Sequence, residues 1–179
     1  FYTNYNTFAF MNGITMKAVH TDIREGFKVP DVAEFEKLIT PRTKAILISN
    51  PGNPTGTLYS KENMLALGEV ARKHDLFLIS DEVYREFCYT DEPHFSAMNI
   101  PGLEDNVILI DSVSKRYNLC GCRIGCIISH NEEVMKAAMK YAQARLCPPI
   151  YGQLEDIGAL GTPDSYFAGV KKEYITRRG

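Results

Sequence analysis

The chain has 179 residues, 45% of them hydrophobic, enough to pack the core of one domain and to exclude a disordered segment. A formal net charge of -2, with Lys and Arg scattered along the sequence, offers no basic field to hold nucleic acid. Its apolar stretches fall short of the roughly 20 residues that cross a bilayer, and no charged start leads into an apolar signal core, so a soluble, cytoplasmic protein without a membrane partner is expected.

Along the chain, strand-like runs alternate with helical ones. A short extended piece is expected near Met16 to His20. Asp31 to Ile39 follows helical spacing through Val32, Phe35, Leu38 and Ile39, and Pro41 limits it. The run Ala45 to Ser49 (AILIS) reads as a buried strand, and Ser60 then caps a helix that runs to about His74. Leu76 to Ser80 (LFLIS) and Val107 to Ile110 (VILI) are the next two strands, and Ile124 to Ser129 (IGCIIS) is a further one. Asn131 or its neighbour caps the helix EEVMKAAMKYAQAR, which Pro148 and Pro149 end, and a last helix runs through Tyr166 to Arg177. This alternation predicts an α/β fold: a three-layer, mostly parallel sheet with helices on both faces and no internal boundary.

Five cysteines are an odd number, and Cys120, Cys122 and Cys126 lie too close together to form a spread framework of bridges, so reduced thiols are expected. The Cys120 to Cys122 pair lacks the spacing and the second ligand pair of a structural zinc site, so no metal is assigned.

Four residues lie just past or close to the ends of the apolar runs: Asn53, Asp81, Lys115 and Arg123. Ligands of open α/β sheets bind outside the carboxyl ends of the strands, so these groups can converge on one crevice. Lys115, in SVSKRYNLCGCRIG, follows a strand through a Ser-rich turn where its amine is expected to be partly desolvated and able to form a Schiff base with an aldehyde. Ser112 and Ser114 offer hydroxyls, and Arg123 offers a fork of donors suited to phosphate. An aldehyde and a phosphate together point to pyridoxal 5'-phosphate. That cofactor needs a carboxylate at its ring nitrogen, for which Asp81 is the candidate, and donors to its phenolic oxygen, which Tyr84 and Asn53 can supply.

Three segments, NPGNPTG (Asn50 to Gly56), DEVY (Asp81 to Tyr84) and SVSKRYNLCGCRIG (Ser112 to Gly125), together resemble the class I and II aminotransferases, the fold-type I pyridoxal-phosphate family typified by aspartate aminotransferase. The resemblance implies that Lys115 is the Schiff-base lysine and later the acid and base at the substrate α-carbon. It makes Asp81 the ring-nitrogen partner, Asn53 and Tyr84 the phenolic-oxygen donors, and Ser112 and Arg123 phosphate ligands. Tyr2 falls where the family stacks an aromatic ring on the cofactor, and Asn53 to Pro54 is a candidate cis bond. Arg116 and Tyr117 gain no role from the resemblance, and His20, His74, His94 and His130 are assigned no chemistry.

The same resemblance implies amino-group transfer between an amino acid, aspartate first, and a 2-oxo acid such as 2-oxoglutarate, in a homodimer. It implies that residues 1–179 are the central part of the large cofactor domain. The family's N-terminal segment and C-terminal small domain would lie outside them, and the isolated segment is expected to have little activity. Two other readings share these motifs: a pyridoxal-phosphate carbon-sulfur lyase, and an aminotransferase-like sensing domain of a transcription regulator.

Overall fold

The computed structural model describes residues 1–178. Helix α1 (Asn4–Met11) opens the chain, and α2 (Val32–Glu36) follows, capped by the Asp31 carboxylate, which accepts from Ala33 N. Strand β1 (Ala45–Ser49) leads through the NPGNPTG loop into α3 (Lys61–Lys73), whose Ser60 and Asn63 form a reciprocal capping box. Strand β2 (Phe77–Asp81) is followed by a long connection containing two short 3-10 turns, then by β3 (Val107–Ser112) and the short helix α4 (Val113–Arg116). Strand β4 (Gly125–Ile128), α5 (Glu132–Arg145), α6 (Ile150–Ala159) and α7 (Asp164–Arg178) complete the described chain.

The four strands form one sheet in sequential order. β1, β2 and β3 run parallel, which requires crossovers, and α3 with the 82–106 connection supplies them. β4 returns antiparallel to β3, so the sheet is mixed and mostly parallel, as expected. Alternation within the strands sets the faces: Ile46, Ile48, Leu78 and Val107 point into one core, where Met64, Leu67, Val70 and Ala71 of α3 meet them. Ala97, Ile100 and Leu103 of the long connection close the same core, so this crossover is covered without a full helix. Burying Met64, Leu67 and Leu78 this completely stabilises the fold by roughly 1.5–3 kcal/mol per side chain. On the opposite face Leu47, Ile79 and Ile110 are half-buried.

The registers place the site. Ser49 pairs with Asp81, Asp81 pairs with Ile110, and Ser112 at the end of β3 pairs with Gly125 at the start of β4. The carboxyl ends of three parallel strands and the amino end of the antiparallel one therefore share one edge. A Cβ on Gly125 would sit 3.0 Å from Asp111 O, which favours glycine at this pairing.

Several elements differ from the sequence expectation. Met16 to His20 forms no strand, because no ladder partner reaches it, and the helix predicted over 31–39 is shortened to Val32–Glu36. Helices α1 and α6 were not foreseen. The five cysteines are all unbridged.

Candidate active site

Asp81, the last residue of β2, is the best-held group on this edge. Its Oδ1 accepts from Val83 N at 3.2 Å and its Oδ2 from the Tyr5 hydroxyl at 2.5 Å, while its backbone carbonyl accepts from Asn50 N at 2.9 Å. Burial, and then the hydrogen bond to Asp81, push the Tyr5 phenol far above its ordinary value, so it remains a donor. Tyr2 packs edge-on against Tyr5 with ring centroids 5.6 Å apart, which brings the predicted stacking residue to the Asp81 side of the edge.

Beyond β3, Ser112 caps α4: its Oγ accepts from Ser114 N at 3.1 Å and donates to Ile124 O at 2.7 Å, tying the lysine turn to the approach of β4. Ser114 Oγ lies 2.9 Å from Ser112 Oγ. Lys115 follows on α4, and its Nζ stands 5.8 Å from the centroid of the Tyr84 ring. The residue is exposed, against the partial desolvation expected of it. A helix of only four residues buries none of its side chains and leaves Lys115 on its outer side. An open cleft of about 440 Å³ lies beside it, lined by Lys115, Phe87 and Asn118 with residues of α7; Asn53, Asp81, Ser112 and Arg123 do not line it.

Arg123 precedes β4 with φ 57, a left-handed conformation that costs a non-glycine residue roughly 1–2 kcal/mol. It is held there in part by a bond from Nη1 to Cys120 O at 3.0 Å, and it remains exposed with donors to spare. α6 backs this loop. Gly152 comes so close that an added Cβ would lie 2.7 Å from Cys122 O, and the buried Cys122 donates its thiol to Glu155. That bond, then burial, push the thiol up to about 11.

Asn53 lies in a loop closed by Gly52 N to Thr57 O at 2.8 Å and Gly56 N to Gly52 O at 2.7 Å. Its carboxamide makes no side-chain hydrogen bond among the described residues, so its donors are free. The Asn50–Pro51 and Asn53–Pro54 peptides are both cis.

Sequence reasoning missed three polar partnerships around this edge. Tyr5 on Asp81 is the first. The second is Glu82, fully buried, whose Oε1 accepts from Ser80 Oγ, Ser96 Oγ and Ala97 N while Oε2 lies 3.5 Å from His94 Nε2. The third joins Arg85 to Asp111 at 2.7 Å and Arg116 to Glu86. The clustered charges of DEVYRE were the available signal for the pairs of Arg85 and Glu86.

A sequence profile described as Aminotransferase class I and II matches residues 1–178. The chain belongs to this family. Among curated members, aspartate aminotransferase of Thermotoga maritima is 35% identical over 90% of this chain and 42% of its own length. Aspartate/prephenate aminotransferase of Thermus thermophilus is 33% identical over 94% of this chain and 43% of its own. A solved double mutant of Thermus thermophilus aspartate aminotransferase superposes with a TM-score of 0.90 at 30% identity, over 99% of this chain and 46% of that one. The fold is that of the fold-type I aminotransferases, and the chain spans less than half the length of these members.

Proposed function

We propose that these residues form the central, cofactor-holding part of an aminotransferase that moves an amino group between an amino acid and a 2-oxo acid. The observation that carries the reading is the shared edge at the ends of β1, β2 and β3, where an anchored carboxylate ends β2, an exposed lysine follows β3 on α4, and an exposed arginine precedes β4. The donor set fits pyridoxal 5'-phosphate: a carboxylate for a ring nitrogen, unspent donors for a phenolic oxygen, an amine for an aldehyde, and hydroxyl and guanidinium groups for a phosphate. When bound, that cofactor supplies an electron sink for the carbanion at the substrate α-carbon.

Each residue then has one task. Asp81 would hold the ring nitrogen, and Tyr5 with Val83 N fixes the carboxylate's orientation. Tyr84 and Asn53 would donate to the phenolic oxygen, and Tyr2 would cover one ring face. Ser112, Ser114 and Arg123 would take the phosphate, Ser112 by turning its hydroxyl away from Ile124 O; the contact between the two serine hydroxyls keeps both at the turn. Lys115 Nζ would anchor the aldehyde carbon and, as a free amine, take the proton from the substrate α-carbon.

Aspartate with 2-oxoglutarate is the proposed substrate pair, supported by the relatives named for aspartate. A homodimer is proposed on the same family ground. The test is a coupled assay of the full-length protein with a panel of amino acids and 2-oxo acids. Turnover with aspartate, lost in Lys115→Ala, supports the reading; carbon-sulfur cleavage without amino transfer would replace it.

A further inference from the structure

Four charged side chains that the proposed chemistry does not use form a chain behind the lysine. Asp111, at the end of β3, is buried and binds Arg85 Nη2 at 2.7 Å through Oδ2, while its Oδ1 accepts from Ser112 N at 2.8 Å. Arg85 is followed directly by Glu86, whose Oε1 lies 4.0 Å from Arg85 Nε. The same Oε1 accepts from Arg116 Nε at 2.9 Å, and more closely from Arg116 Nη2. All four side chains are largely withdrawn from water, at 11–31% exposure, so the pairs are screened less than surface ones.

The chain's ends coincide with the site. Arg85 and Glu86 follow Tyr84, Asp111 precedes Ser112, and Arg116 follows Lys115. Backbone bonding between these segments stops where the strands stop, at Glu82 N to Ile110 O. Past that point the turn carrying Tyr84 and the helix carrying Lys115 are tied by ion pairs. We propose that Glu86 and Arg116, backed by Arg85 and Asp111, are positioning residues that hold the Lys115 amine over the Tyr84 ring. Arg116 binds Glu86 through two nitrogens, which restricts its direction as well as its distance. Neither residue touches the reacting atoms. The inference rests on the reading of Lys115 as the reactive amine.

The test is the rate at which pyridoxal 5'-phosphate and borohydride label Lys115 in the full-length apoprotein, measured by peptide mass against exposed Lys140 as internal reference, beside the melting temperature. Glu86→Gln and Arg116→Gln are each expected to slow Lys115 labelling about tenfold at unchanged Lys140 labelling, and the double variant to slow it no further, as expected of one coupled pair. Wild-type protein that shows no preference for Lys115 would remove the underlying lysine assignment instead. Single variants that label at the wild-type rate, or losses that multiply in the double variant, overturn the positioning role. Should the glutamine variants fail to fold, Glu86→Asp keeps the charge and shortens the reach: slowing of threefold or more supports the role, and a wild-type rate overturns it.

Discussion

Tyr5 donates its hydroxyl to Asp81 Oδ2 at 2.5 Å, joining the first helix to the end of the second strand across 76 residues. A hydrogen bond to a charged group is worth about 1.5–3 kcal/mol, which corresponds to roughly 10- to 100-fold in an equilibrium. Tyr5→Phe is therefore expected to weaken cofactor binding by about tenfold or more in the full-length protein, with the remaining Val83 N bond keeping the fold intact. Cofactor titration of the apoprotein by fluorescence checks this; an unchanged affinity would detach Asp81 from the cofactor.

Burial holds the His94 imidazole below its ordinary value; Arg85 acts in the same direction, while Glu82, Glu86 and a bond to the Asn50 backbone oppose them. An unfolded histidine titrates near about 6.5. Above that pH neither state is protonated and the contribution is fully present; as pH falls below it, the unfolded chain takes up a proton that the folded state resists, and stability is lost. The urea midpoint is expected to fall from pH 7 to pH 5.5, a window above the roughly 4.3 at which free glutamates titrate. His94→Asn should flatten that slope. Equal slopes in both proteins would place the acid sensitivity elsewhere.

Gly152 of α6 sits against Cys122 O, where an added Cβ would have 2.7 Å of room and would press on backbone. Gly152→Ala is expected to cost about 1–3 kcal/mol, as overpacked sites do. Because the displaced loop carries Arg123, phosphate affinity should fall along with the melting temperature. Calorimetric titration with inorganic phosphate separates the two effects: a destabilised variant with wild-type phosphate affinity would mean that α6 does not position Arg123.

What was legible in the sequence follows from how local each cause is. AILIS, LFLIS and VILI are short, β-branched and apolar, so they announce buried strands, and Ser60 and Asn131 mark the helix starts they cap. α1 was hidden because its apolar residues surround the helix: Ala9 is buried while Phe8, Phe10 and Met11 are exposed, leaving no single stripe to read. α6 was hidden by Pro149, which stands at its N-cap position, and by Gly152, which reads as a loop until its contact with Cys122 explains it.

The same distinction holds at the site. Asp81, Lys115 and Ser112 could be found from strand ends and turns. Tyr5 and His94 could not, because their partners lie 76 and 12 residues away and depend on packing. The pairing of Ser112 with Gly125, which brings Arg123 to the edge, is a register and leaves no local trace.

The most direct measurement is the mass of the Lys115 peptide after the full-length protein has been reconstituted with pyridoxal 5'-phosphate and treated with borohydride. A single pyridoxyl addition on Lys115, absent in Lys115→Ala together with the visible absorbance of the loaded protein, is the expected result. Stoichiometric labelling of another lysine, with Lys115 unmodified, would contradict the assignment of Lys115 as the cofactor anchor.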